Sequence, residues 1–111
     1  MYSVDFLFEP GDYDERFHAL NAAIEAAAQA TPGYLGVESW RSPDGRRRNV
    51  KYYWQSLEAL RAFSDHPQHL QAKREYHTWY HGYHIVIAQV IKSYGDGAFA
   101  HFTPNEKDRL T

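Results

Sequence analysis

Histidine is the residue type in this chain best suited to chemistry. The 111 residues include seven histidines and no cysteine, which excludes disulfides, zinc–thiolate sites and cysteine nucleophiles. His66 and His69 stand at the start of a predicted helix. One interpretation is structural: His66 caps the helix or hydrogen-bonds a loop carbonyl. The other is that one of the two is a general base, because the imidazole pKa lies near neutrality.

A second group of histidines invites a metal hypothesis. His77 and His81 are four residues apart on a predicted helix, where they would share a face as zinc ligands can. His84 follows on the last predicted strand. The pattern lacks the usual third carboxylate or histidine, and histidine near a helix end also complements the helix dipole. We therefore predict structural or solvent-facing roles for these residues and no metal site.

Aromatic residues make up 16% of the chain and suit pockets and interfaces, since they combine a large apolar area with a polar handle. Four of them are candidates for the walls of a flat apolar pocket, although the same positions also suit a core: Trp54, Phe63, Trp79 and Tyr80. We find no Ser-His-Asp order, no phosphate-binding glycine loop and no pair of catalytic carboxylates. A hydrolase is therefore not predicted.

The elements that must position these residues follow from hydrophobic periodicity. Alternation predicts a strand at the N-terminus, ended by Pro10-Gly11. A helix with Asp12 as N-cap and Glu15 completing a capping box is predicted next, ended by Thr31-Pro32-Gly33. The remaining predicted elements are strands 34–41 and 47–55 around a Pro43-Asp44-Gly45 turn, helices 57–63 and 67–80, and a last strand 83–94 that begins after Gly82.

The order β-α-β-β-α-β predicts an α+β, ferredoxin-like fold with a four-stranded antiparallel sheet and both helices on one face. Residues 1–95 form the domain and residues 96–111 a C-terminal tail. The last strand is apolar on both faces, so it requires cover on both sides of the sheet. The tail is rich in glycine and polar residues and is expected to cover the sheet poorly. A homodimer is therefore predicted.

Charge and hydropathy restrict the partners. The net charge of −2 argues against nucleic acid, which requires a concentrated basic surface. The basic run Arg46-Arg47-Arg48 follows a turn, which predicts a solvated hairpin tip, with an anion contact as the alternative. No apolar stretch approaches the roughly 20 residues that cross a bilayer, and no signal peptide is evident. With no cysteine to form disulfides, the cytoplasm is the expected location.

One stretch of the chain resembles a known family. The run Tyr53-Trp54-Gln55-Ser56-Leu57-Glu58-Ala59-Leu60, followed by His66-Pro67-Gln68-His69 and Ala72, resembles the antibiotic-biosynthesis-monooxygenase (ABM) superfamily. The similarity covers residues 2–95 and is greatest to the branch related to heme-degrading monooxygenases. It implies a ferredoxin-like monomer, a dimer whose two sheets form an α/β barrel, and a pocket between sheet and helices in each subunit.

The resemblance also implies a chemistry. In characterised members the pocket holds either a polycyclic phenol that is oxidised without a cofactor, or heme. This chain departs from the heme-degrading pattern, because it has no asparagine before Asn21, and Lys73 takes the place of the axial histidine. Phe63 stands where members of both kinds often carry tryptophan.

The expectation is therefore a cofactor-independent monooxygenase acting on an aromatic, phenolic or quinone-type small molecule. His66 or His69 would remove a phenol proton, which makes the ring electron-rich enough to reduce dioxygen. Trp54, Phe63, Trp79 and Tyr80 would shape the pocket. Two alternatives stay open: a non-catalytic dimer that binds a small ligand, and a heme-binding, heme-degrading monooxygenase.

Overall fold

The computed structural model describes residues 1–107 and has the predicted α+β, ferredoxin-like arrangement. The strands are β1 (Tyr2–Pro10), β2 (Tyr34–Arg41), β3 (Arg48–Trp54) and β4 (Tyr80–Gln89). The helices are α1 (Glu15–Ala30), α2 (Leu57–Ser64) and α3 (Pro67–Trp79). Within this part of the chain, no helix has the length and apolar character needed to cross a bilayer.

The sheet is antiparallel throughout, with strand order β2-β3-β1-β4. Val4 of β1 lies opposite Tyr52 of β3 and Ile87 of β4. These three side chains share one face, because side chains alternate along a strand. The Tyr52 ring centroid lies 5.8 Å from that of Phe63 in α2. We call this side the helix face, and the opposite side, which carries Asp5, the open face.

The core lies between the helix face and the helices. Trp54 is completely buried, and its ring is stacked on Phe63 at 5.0 Å between centroids. Ala28 of the alanine-rich α1 is also buried against this cluster, as expected for small side chains that permit a helix to approach a sheet closely. Burying a side chain as large as that of Trp54 contributes about 3–5 kcal/mol, judged from the cost of replacing tryptophan or phenylalanine with alanine.

The start of α1 differs from the prediction. Asp14, not Asp12, is the N-cap: its carboxylate accepts a hydrogen bond from the Phe17 backbone N–H at 2.8 Å. The same oxygen accepts a second hydrogen bond from Trp79 Nε1 at 3.1 Å. The predicted capping box of Asp12 and Glu15 was therefore wrong. Asp14 is favoured over Asp12 because Trp79, 65 residues away, also donates a hydrogen bond to it.

The junction between α3 and β4 also differs. The helix ends at Trp79, and Tyr80 is already extended and paired with Pro10 of β1. Gly82 was expected to separate the two elements but lies inside β4, opposite Glu9. Pairing with the end of β1 outweighs the local glycine signal. His81 consequently lies in the strand, and the prediction that it shares a helix face with His77 was wrong.

The C-terminal tail covers more of the sheet than expected. Phe102 packs so closely on Gly36 of β2 that a Cβ at Gly36 would overlap its ring. His101 Nε2 lies 3.2 Å from Glu38 Oε2, and Thr103 is buried. The expectation of poor cover was wrong for the β2–β3 half of the open face. Residues 108–111 of the predicted tail lie outside the described residues.

We predict that Gly36→Ala releases the tail. The added methyl group would displace Phe102, and overpacking of this kind costs about 1–3 kcal/mol. Hydrogen exchange at the backbone amide of Glu106, which donates to the Ser93 carbonyl at 2.8 Å, should become faster. Gly82→Ala is the matched control, since no atom lies within 4 Å of a Cβ added there. Equal exchange rates in both variants would contradict the packing role of Phe102.

Candidate active site

His66 occupies the N-cap of α3. Its Nδ1 accepts a hydrogen bond from the backbone N–H of Gln68 at 3.2 Å, and Pro67 follows in the first turn. Proline suits this place because the first-turn N–H groups have no partner within the helix. The capping interpretation of His66 is confirmed, so one of its two ring nitrogens already has a structural role.

His69 has a different environment one turn further along the helix. Its Nδ1 is buried and has no hydrogen-bond partner among the described residues. The imidazole lies 4.8 Å from the ring of Phe63, measured between centroids. Buried polar atoms normally have a partner, and leaving one without costs about 1–3 kcal/mol. The unpartnered Nδ1 of His69, beside the apolar ring of Phe63, is therefore a candidate for contact with a ligand.

The electrostatics around His69 keep the ring neutral near pH 7. Burial lowers its pKa below the ordinary value of 6.5, and the positive charge of Lys73 lowers it further. A hydrogen bond with the Ser64 backbone acts in the opposite direction. A neutral imidazole has one protonated and one unprotonated ring nitrogen, so His69 can accept a proton.

Beside α3, the helix face of the sheet is left uncovered. Tyr83, Ile85 and Ile87 of β4 are 48%, 42% and 55% exposed, although they belong to the face that the helices otherwise cover. Ring centroids of Tyr76 and Tyr83 lie 4.7 Å apart, and those of Phe6 and Tyr80 lie 5.5 Å apart. We call this surface the aromatic groove; its residues are Phe6, Tyr76, Tyr80, Tyr83, Ile85 and Ile87.

His69 lies on the same side of α3 as the aromatic groove. It precedes Tyr76 by seven residues, about two turns of helix, which brings two side chains to the same face. Tyr76 contacts Tyr83 directly. The structure therefore places the His69 imidazole and an exposed aromatic surface along one side of one helix.

The four aromatic residues predicted to line a pocket fall into two groups. Trp54 and Phe63 are buried behind His69, and the Phe63 ring contacts both Trp54 and His69. Trp79 is also buried, and Tyr80 is partly exposed; both contact Phe17 of α1, with ring centroids 5.5 and 6.0 Å away. Of the four, Tyr80 is the one that reaches the groove.

Tyr52 connects the two groups and was not selected from the sequence. Its ring contacts Phe63, and its charge in the ionised form contributes to the raised pKa of Tyr80. Burial raises the pKa of Tyr52 to about 12 and is also the main cause at Tyr80. Both hydroxyls are therefore protonated donors at neutral pH. The signals were present: alternation along β3 puts Tyr52 on the helix face, and a seven-residue spacing links His69 to Tyr76.

The other candidate ligands of the chain are not assembled into a site. His77, His81 and His84 are exposed, and within residues 1–107 no three histidine, aspartate or glutamate side chains are grouped as metal ligands. The Nζ of Lys73, at the position of the axial histidine, donates to Ser64 Oγ at 3.0 Å. Arg46, Arg47 and Arg48 are exposed near the hairpin turn, as predicted.

Comparison with known proteins establishes the family. The profile of the family described as Monooxygenase af470-like matches residues 6–88, about three quarters of the chain. The chain belongs to the monooxygenase af470-like family. This af470-like chain is also 33% identical over 90 residues to the uncharacterized protein YqjZ of Bacillus subtilis strain 168, covering 80% of the chain and 78% of YqjZ.

Solved structures agree with the fold of the af470-like chain. Rv0793 from Mycobacterium tuberculosis superimposes with a TM-score of 0.69 at 18% identity, covering 83% of this chain and 96% of Rv0793. SnoaB, a cofactor-independent oxygenase from Streptomyces nogalater, superimposes with a TM-score of 0.66 at 14% identity, covering 83% and 94%. At these identities the likeness concerns the fold. Together with the family match, it confirms the resemblance to the ABM superfamily.

We predict that His69 titrates below the ordinary histidine value of 6.5, because burial and Lys73 disfavour the imidazolium. The folded chain prefers neutral His69, so the unfolded chain binds more protons between the two pKa values. The stability that neutral His69 provides is thus present above 6.5 and is lost as the pH falls through the lower folded pKa. NMR titration of the His69 ring protons measures that pKa directly.

The variant His69→Gln supplies the control for this titration. It should remove one histidine signal and reduce the loss of unfolding free energy between pH 7 and pH 5. A His69 midpoint at or above 6.5 in the folded wild-type chain would contradict the environment described for the ring.

Proposed function

We propose that this af470-like protein is a cofactor-independent monooxygenase that oxidises a small aromatic, phenolic or quinone-type molecule with dioxygen. The observation that carries the proposal is the unpartnered Nδ1 of His69, on the side of α3 that adjoins the aromatic groove. Family membership supports the monooxygenase class, and SnoaB is a cofactor-independent oxygenase of similar fold.

In this proposal His69 removes the hydroxyl proton of a phenol bound in the groove. The phenolate then passes an electron to dioxygen, and the two radicals combine to form a carbon–oxygen bond. For an anthrone-type phenol, the ring CH₂ group becomes a carbonyl. One oxygen atom enters the product, the other leaves as water with the two hydrogens of the CH₂ group, and His69 returns the hydroxyl proton to the phenolate oxygen. The substrate loses four electrons and dioxygen gains four, so no external reductant is needed.

Proton transfer from a phenol to His69 is thermodynamically unfavourable, so hydrogen-bond donors around the substrate are needed. A phenol with a pKa near 10 exceeds the ordinary histidine value by about 3.5 units, or about 5 kcal/mol. The phenolate must therefore be stabilised as it forms, and preorganised hydrogen-bond donors provide such stabilisation. Tyr80 belongs to the groove, and its hydroxyl has no hydrogen-bond partner among the described residues. We assign it the role of donor to the phenolate oxygen.

The groove walls suit a flat, apolar ring system. Phe6 and Tyr83 lie 6.0 Å apart between ring centroids, and Ile85 and Ile87 extend the surface along β4. Aromatic rings favour offset or edge contacts with ligand rings. Phe63, with Trp54 stacked behind it, fixes the orientation of His69. This assigns contact with the substrate to Tyr80 and support of the base to Phe63 and Trp54, whereas Trp79 holds the end of α3 through its hydrogen bond to Asp14.

The activity test compares two histidine variants on anthrone-like and flavonoid phenols, with oxygen uptake as the readout. His69→Gln should lower kcat/KM by about 10²–10⁴-fold, the usual contribution of a general base. His66→Asn is the matched control, because asparagine retains an N-cap while removing the imidazole. It should leave kcat/KM within about threefold of wild type. Equal losses in both variants would contradict the assignment of His69.

Two other outcomes identify the alternatives. Tight retention of a phenol without oxygen uptake would indicate a non-catalytic ligand-binding protein. A hemin titration that saturates at one Soret shift per subunit would indicate heme binding, and loss of that band with a reductant would indicate heme degradation. Either result would replace the cofactor-independent assignment.

We also propose that the protein is a homodimer that buries the part of the open face not covered by the tail. Val86 of β4 is 41% exposed and Trp40 of β2 is 62% exposed, and both belong to the open face. A second copy is the simplest cover for apolar side chains on an antiparallel sheet. The same arrangement would leave the aromatic groove, on the opposite face, accessible in each subunit.

Light scattering tests the dimer. The wild-type chain should have twice the mass of one chain, and Val86→Asp should shift it to the monomer mass, because a carboxylate would be buried without a partner. Gln89→Asp places the same charge on the helix face of the same strand and should remain dimeric. Dissociation of both variants, or of neither, would argue against an interface on the open face.

A further inference from the structure

A small cavity lies between α1 and α3, apart from the aromatic groove. Its volume is about 30 Å³. Five of its lining side chains are apolar, and two, Asn21 and Tyr80, carry polar atoms; the apolar members are Phe17, Leu20, Ile24, Ala72 and Trp79. Pockets for drug-sized ligands measure about 300–1,000 Å³, so a polycyclic phenol does not fit here.

The size and lining of the cavity suit a diatomic molecule. About 10–15 Å³ by this measure holds one water-sized sphere, so the cavity holds about two side by side. A buried water needs two to four polar partners. Here a water would find the Asn21 amide and the Tyr80 hydroxyl at most, because the indole N–H of Trp79 already donates to Asp14. The five apolar side chains offer no hydrogen bond to a water, whereas a small apolar molecule requires none.

The cavity adjoins the proposed reaction site through a shared wall. Tyr80 lines the cavity, and its ring also contacts Phe6 of the aromatic groove at 5.5 Å between centroids. The Tyr80 ring would therefore lie between a molecule in the cavity and a ligand in the groove. Asn21 is exposed to solvent, which gives the cavity an opening at the surface of α1.

We propose that this cavity binds dioxygen and holds it beside the aromatic groove. The role as a store of co-substrate rests on the proposed function, whereas the binding itself does not. Dioxygen is apolar and diatomic, matching both the volume and the lining. Tyr80 would then have two roles: it lines the dioxygen cavity, and its hydroxyl donates a hydrogen bond to the phenolate oxygen.

Dioxygen is its own probe, because it is paramagnetic and broadens the NMR signals of nearby nuclei. Methyl spectra would be recorded under nitrogen and under raised oxygen pressure, with no aromatic substrate present. The methyl groups of Leu20, Ile24 and Ala72 should broaden at least about threefold more than that of Ala26, which is exposed on α1 and reports random collisions with dissolved gas.

Two variants make the test specific. Ala72→Leu fills the cavity and should reduce the excess broadening at Leu20 and Ile24 to the level of the exposed methyl groups. Ala26→Leu is the matched control, an alanine-to-leucine change on α1 outside the cavity lining, and should leave the excess unchanged. Leu20→Ala enlarges the cavity and should increase the broadening at Ile24. This second variant supplies a readout if Ala72→Leu fails to fold.

The outcomes separate this proposal from the proposed function. Uniform broadening of all methyl groups, or cross-relaxation from an ordered water to Ala72, would overturn dioxygen binding even if the phenols are oxidised. Selective broadening with no turnover of any phenol would support the cavity and count against the oxygenase assignment. Excess broadening that persists in Ala72→Leu would also overturn the proposal, since the site would lie elsewhere.

Discussion

A single carboxylate oxygen ties together the elements that form the candidate site. Asp14 Oδ1 accepts from the Phe17 backbone N–H and from the Trp79 indole N–H. The first contact fixes where α1 begins and the second holds the end of α3 beside it. The turn into β4 follows directly at Tyr80. The spacing of the two helices, and with it the cavity between them and the position of Tyr80, depends on this junction.

The contrast between His66 and His69 shows how position decides the chemistry of one residue type. Both lie within the first turn of α3 or at its cap. His66 faces the backbone of its own helix and satisfies Gln68, whereas His69 faces Phe63 and leaves Nδ1 without a partner. A cap can be supplied by several residue types. A buried neutral base cannot, because it requires a pKa near neutrality together with an unoccupied lone pair.

Elements governed by local pattern could be predicted from the sequence, and those decided by distant contacts could not. β2 begins and ends where its alternation and the flanking turns place it, and simple alternation along β3 accounts for Tyr52 and Trp54 sharing the helix face. Asp14 replaced Asp12 because Trp79 reaches it from across the domain. The tail was misjudged because its cover comes from two residues, His101 and Phe102, in a segment that has neither strand nor helix periodicity. The sequence offered His66 and His69 as candidates for the proposed base, and preferring His69 required its burial, which periodicity does not report. The groove was missed for a similar reason: β4 carries apolar residues on both faces, so its pattern does not distinguish a covered face from an exposed one.

The groove also has an unusual wall. β4 is an edge strand that pairs with β1 alone, so one ladder of hydrogen bonds holds it, while β2 and β3 lie at the far side of the sheet with the buried cluster around Trp54. Bending or twisting β4 would change the width of the groove without disturbing that cluster. Under the proposed function, substrate range would thus depend on β4, whereas the buried cluster around Trp54 lies in another part of a very small domain. Related chains could diverge in the ligands they accept by altering one strand, and selection for a new ligand would seldom conflict with selection for a folded protein.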